Sequence, residues 1–195
     1  MIRQSLAAAA LSLALATPVL AEPLPMPGVD FRAEMAILEG PGVMTVMRHK
    51  AGKMRVDVEQ MGMKGFMLME RGKTVATMIM EIQPGVPMAM DIDLSKMAGQ
   101  QQMNVATWDL DGRKVGSATV LGESCDEYET TQSGMTMRIC IARDGVPLRT
   151  FDVGRNKPVM EARKVERVTQ DAAQFAIPAG VTRMPAMPGM PGQTR

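Results

Sequence analysis

Lys53-Met-Arg-Val-Asp-Val-Glu59 alternates without a break: Met54, Val56 and Val58 are apolar, and Arg55, Asp57 and Glu59 between them are charged. A period of two is the signature of a strand with one buried and one solvated face. The same alternation returns in Met88, Met90 and Ile92 against Asp91 and Asp93. It appears again in Met135, Met137, Ile139 and Ile141 against Thr136 and Arg138. Turn residues separate such runs at Glu39-Gly-Pro-Gly42, Ala51-Gly52, Arg71-Gly72, Gln83-Pro-Gly85, Asp111-Gly112, Gln132-Ser-Gly134 and Asp144-Gly145. Many short strands with one wet face predict an antiparallel sheet arranged as a sandwich, a barrel or a strongly curved sheet. Helix is expected only at 95–102 and in one turn capped by Asp171, and 94–107 otherwise reads as a polar loop.

Both ends differ from this middle. Arg3 precedes an Ala/Leu-rich run from Leu6 to Ala16, followed by Thr17-Pro-Val-Leu-Ala21. That layout predicts a cleaved secretory signal over residues 1–21, with Val19 and Ala21 at the peptidase specificity positions. The apolar run is too short for a membrane anchor, and no cysteine lies at the cleavage site to take a lipid. The expected compartment is the periplasm. A proline-rich segment, 22–29, leads into the domain at 30–182. A Met/Pro-rich tail, 183–195, carries Met184-Pro-Ala, Met187-Pro-Gly and Met190-Pro-Gly, and both ends are expected to be extended or disordered.

Charge and composition exclude several functions. Lys+Arg 22 against Asp+Glu 21 leaves no basic excess for nucleic acid. A single histidine removes most zinc sites. No phosphate loop and no Gly-x-Ser-x-Gly elbow is present, and Asp109-Leu-Asp-Gly112 reads as a hairpin turn rather than a calcium loop. The sequence therefore predicts a protein that is not an enzyme and has no cofactor. Cys125 and Cys140 are the only thiols of an exported chain and are expected to pair. Centring a hairpin on Gln132-Ser133 places them directly opposite, with Glu127 facing Arg138 and Tyr128 facing Met137.

Methionine is the distinctive chemistry. Of the 22 methionines, 21 lie beyond the leader, beside only 7 leucines there, and many occur in i, i+2 pairs. Three readings are open: a core packed with a flexible side chain, an adaptable lipophilic cavity, or a soft-metal site for Cu(I). The cavity reading names Met54, Val56, Val58, Met78, Met80, Met88, Met90 and Ile92. The metal reading rests on Met184, Met187 and Met190, with Met44, Met47 and His49 as a weaker group.

Asp30-Phe-Arg-Ala-Glu-Met35, Lys53-Met-Arg-Val-Asp57, Leu121-Gly-Glu123, Asp144-Gly-Val-Pro-Leu148 and Phe175-Ala-Ile-Pro-Ala-Gly180 occur in an order and spacing with a family likeness. Together they resemble an uncharacterised family of exported bacterial proteins, domain of unknown function 4412, related in shape to the LolA/LolB lipoprotein-localisation factors. The resemblance implies a mainly β, curved antiparallel half-barrel with an apolar concave side, in a group that carries or senses acyl chains or lipoproteins. This chain departs in having few aromatics and little helix for a lid. Three functions follow as expectations: a periplasmic carrier for a lipophilic ligand or lipoprotein acyl chain, a periplasmic copper-binding protein, or an envelope-assembly partner using edge strands. The signal layout generates one direct expectation: protein recovered from the periplasm begins at Glu22 by N-terminal sequencing, and a retained Met1 in a membrane fraction contradicts it.

Overall fold

The computed structural model describes residues 21–39, 43–60, 63–83, 85–94, 110–132 and 134–184. The expected signal peptide (residues 1–20 of it), the expected helix at 95–102, most of the expected polar loop, and Met187 and Met190 of the tail lie outside the described residues.

Period-two segments become strands: β1 (Glu22–Pro23), β2 (Phe31–Ile37), β3 (Met44–Lys50), β4 (Lys53–Gln60), β5 (Met63–Glu70), β6 (Val75–Gln83), β7 (Val86–Asp93), β8 (Asp111–Val120), β9 (Glu123–Gln132), β10 (Met135–Ala142), β11 (Pro147–Asp152), β12 (Lys157–Glu166) and β13 (Thr182–Arg183). All thirteen join one sheet in the order β1-β8-β9-β10-β11-β12-β2-β3-β4-β5-β6-β7-β13. Two antiparallel meanders, β2 to β7 and β8 to β12, meet where β12 pairs with β2. The result is a single curved sheet that stays open, as the half-barrel expectation requires. A 3-10 turn at Ala172–Phe175 is capped by the Asp171 carboxylate, which accepts from the Ala173 N–H at 3.0 Å.

One apolar cluster runs along the sheet, from Val120, Cys125 and Cys140 through Met160, Ala162, Ala33 and Met35 to Met47, Met54, Val56, Met67 and Met78. A smaller cluster on the other side joins Leu24, Ile139 and Ile141 with Tyr128 and Leu110. Leu24 belongs to the proline-rich N-terminal segment, which is extended as expected but also packed: Leu24 is buried and its N–H donates to the Leu110 carbonyl at 2.8 Å. At the other end, β13 pairs in parallel with β7, and the Met184 N–H donates to Ala89 at 2.9 Å. Arg183 and Met184, the first two residues of the predicted tail, thus pair with β7.

The cysteines are disulfide-bonded, with Cα atoms 5.4 Å apart, in a register two residues from the one read in the sequence. Gln132 pairs with Met135, so Cys140 faces Glu127, Cys125 faces Ala142, and the bridge runs diagonally. Arg138 consequently pairs with Glu129, at 2.7 Å, rather than Glu127, and Tyr128 faces Ile139 rather than Met137. The reason is Gly134: its φ of +79° belongs to a turn residue, and placing it in a strand would waste the one residue that adopts this conformation without strain. A shift of two preserves every residue's face, but burial in β10 departs from the expected single apolar face: Ile139 and Ile141 are buried while Met135 and Met137 are half-buried, and Cys140 and Ala142 are buried on the face of Thr136 and Arg138.

After β12 the chain crosses the sheet as an extended strap, residues 167–181, which three carboxylates anchor. Arg167 is paired with Asp144 and Glu123. The Gln170 N–H donates to Asp30 at 3.2 Å, and the same oxygen takes Lys50 at 3.1 Å. Burial pushes both aspartates up, but for Asp144 the Arg167 guanidinium and the Val146 N–H, and for Asp30 the Gln170 N–H and Lys50, outweigh it and hold each carboxyl below the usual aspartate range. A lowered folded pKa contributes stability that is present above the unfolded value of about 3.9 and lost as pH falls through the folded pKa. Denaturant titrations should therefore show stability falling below about pH 4, with a shallower acid slope in Asp30→Asn/Asp144→Asn; an identical slope would exclude these anchors as the cause.

Gly65 stands where β5 and β6 approach closely. A Cβ there would overlap the Ile79 carbonyl oxygen and stand 3.1 Å from Met80 Cγ. Gly65→Ala should lower stability by about 1–3 kcal/mol through overpacking, measured by urea unfolding; a neutral result would mean that β5 and β6 separate freely.

Candidate binding site

Strand register brings all eight residues of the predicted cavity onto one face of four consecutive strands. Met54 faces Met69 and Val56 faces Met67 across β4 and β5; Met67 faces Met78, and Gly65 faces Met80 across β5 and β6. Across β6 and β7, Met78 faces Met90, Met80 faces Met88, and Ala76 faces Ile92. The row continues through Met47, which faces both Val56 and Ala33. A methionine or valine therefore occupies this level of the sheet on every strand from β3 to β7.

The eight divide by burial. Met54 and Val56 are 1% exposed, Met78 is 8% and Ile92 is 5%, so these four are core. Val58, Met80, Met88 and Met90 are only half-buried and form a margin. Of these, Val58, Met80 and Met88 occupy the level nearest the hairpin ends of the sheet. The apolar floor is filled by its own side chains, and the accessible part is this margin.

Across the sheet from this floor lies a groove of about 610 Å³ that the sequence reading missed. Met44, Val46, Phe66, Ile79, Pro87 and the strap's Pro178 give it apolar walls, and Val58 also borders it. Arg55 lies 3.7 Å over the Phe66 ring and donates to the Gln174 carbonyl at 3.1 Å, tying the 3-10 turn to β4. Asp57 holds Arg55 at 2.7 Å and also binds Arg48. The overlooked signal is the run Phe66-Met-Leu-Met69: four apolar residues in succession mean a strand covered on both faces, where strict alternation predicts one.

His49 does not form the metal group considered with Met44 and Met47. It is 2% exposed, its Nε2 accepts from the Gly52 N–H at 3.1 Å, and its Nδ1 lies 2.7 Å from the Val29 carbonyl. Both ring nitrogens are thus engaged by backbone groups rather than directed at a shared ligand position. Met47 shares the histidine's face, whereas Met44 is 47% exposed on the opposite one. Of the three tail methionines, only Met184 is among the described residues, against β7. Among the described residues, no three His, Cys, Asp or Glu side chains gather as metal ligands. No helix among them is long and apolar enough to cross a membrane.

The structure is similar to that of PNGF-II in two crystal forms, P21 and C2, each with a TM-score of 0.54. Identities are 11% and 12%, with 80% and 82% of this chain and 31% of that chain covered. This chain thus spans about a third of the PNGF-II length, and the likeness is one of fold. A looser match, with a TM-score of 0.37 at 14% identity, is the MucA/MucB complex of Pseudomonas aeruginosa, covering 78% of this chain and 57% of that one. No curated protein matches the sequence. The sequence profile of a domain of unknown function, DUF4412, matches residues 33–153, more than half of the chain, and the protein belongs to that family.

Proposed function

We propose that this protein is a non-catalytic binding module of the bacterial periplasm that holds a lipophilic ligand, an acyl chain or the acyl chain of a lipoprotein, at the methionine margin of β4 to β7. The observation carrying this reading is the division of one continuous face into a sealed floor and a half-buried margin. Val58, Met80, Met88 and Met90 present apolar atoms that remain partly in water, and the buried Met54, Val56, Met78 and Ile92 lie beside them on the same face. Methionine suits such a surface because an unbranched thioether has three rotatable bonds and repacks around differently shaped apolar ligands. The signal-peptide layout supports the compartment.

Magnitudes are adequate. Each CH₂ of a bound chain removed from water is worth about 0.8 kcal/mol, so ten carbons offer up to ~8 kcal/mol, which sets about micromolar affinity as the ceiling before ordering costs. Titration with a fluorescent fatty-acid analogue should show saturable binding by the wild type. Met90→Asp should weaken it at least tenfold by placing an unpaired charge on the apolar margin, with circular dichroism confirming that the variant is folded. A wild type that shows no saturable binding overturns the reading.

A further inference from the structure

The same register that builds the margin also creates an arrangement the apolar reading does not need. Met78 and Met80 on β6 and Met88 and Met90 on β7 form a two-by-two block, with Met78 opposite Met90 and Met80 opposite Met88. Opposed residues of an antiparallel pair have Cα atoms about 4.5–5.5 Å apart, and successive residues of one face are separated by about 6.7 Å along a strand. Four thioethers on flexible stems therefore lie within reach of a common point. We propose that this block is a binding site for one soft monovalent cation, Cu(I), held by three or four thioether sulfurs.

The donor set decides the class of ion. Asp91 and Asp93 alternate to the other face of β7, where Asp91 accepts from the Thr77 hydroxyl at 2.8 Å and pairs with Arg183 at 2.6 Å. The block thus presents neutral sulfur without carboxylate. That composition suits a d¹⁰ monovalent ion and gives little to hard Mg²⁺ or Ca²⁺, which need oxygen, or to Zn²⁺, which takes thiolate and imidazole. Half-burial favours the site as well, since Met80, Met88 and Met90 keep some contact with water, and Met78, 8% exposed, closes the inner side. Among the described residues, the strand paired beyond β7 is β13, at Met88 and Ala89.

The site differs from the Met-Pro tail, and it goes beyond the lipophilic reading because it depends on sulfur rather than on apolar area. Leucine retains the apolar volume of methionine and removes the donor, which separates the two. The probe is Ag(I), which has the charge and softness of Cu(I) and needs no reductant, so the Cys125–Cys140 disulfide stays intact and contributes no thiolate. Calorimetric titration and native mass spectrometry of the wild type should show one tightly held Ag(I). Met80→Leu/Met88→Leu should weaken it at least tenfold with thermal melting retained, and Met90→Leu alone should weaken it in the same direction. Met187→Leu/Met190→Leu should leave it unchanged. No stoichiometric Ag(I) on the wild type, equal affinity in Met80→Leu/Met88→Leu, or loss of binding in Met187→Leu/Met190→Leu would each overturn the proposal. Acyl-chain binding would stand or fall separately by its own titration.

Discussion

Sulfur-bearing side chains packed across a sheet are what the rest of this structure depends on. Among the described residues, the one sheet is accompanied by no α-helix, so the apolar face there does not rest on a layer of regular helices. Burying a methionine fully is worth about 1.5–3 kcal/mol, and Met35, Met47, Met54 and Met67 are each 1% exposed or less. Methionine fills irregular space without demanding one rotamer, a useful property in a curved sheet whose inner face changes spacing along its length. The same flexibility leaves the outer row adaptable where packing ends.

An open sheet must also manage its edges. Here both are blunted by the chain's own ends. Glu22–Pro23 pair with Gly112 and Asp111 of β8, and Thr182–Arg183 pair with Met88 and Ala89 of β7. Two-residue edge strands containing a proline or bearing an arginine are poor templates for further pairing. Each terminal segment has a second role. The N-terminal one places Leu24 over Ile139 and Ile141, and the C-terminal strap carries Pro178 to the groove and Phe175 to a buried position.

Most of the sheet was legible because alternation is a direct imprint of the pleat. Lys53 to Glu59 reads as a strand with Met54 and Val56 inside, and it is one. The cysteine pair was legible from compartment and count, whereas its register depended on which residue takes positive φ, and Gly134 decided that against the charge pairing assumed for Glu127 and Arg138. The strap was not legible. Residues 167–181 have no period, and their anchors at Asp30 and Asp144 are far away in sequence. The groove was hidden for a related reason: Phe66 and Ile79 sit at positions that strict alternation assigns to solvent, and they meet the strap there at Pro178.

The central claim is that one methionine face serves as core at its floor and as binding surface at its margin. Peroxide footprinting with residue-level mass spectrometry, with and without a fatty-acid analogue, tests it directly because thioether oxidation follows exposure. Met80, Met88 and Met90 should oxidise faster than Met47, Met54 and Met67, and the analogue should slow the first group alone. Equal rates in the two groups, or no protection of the margin by the analogue, would contradict the account.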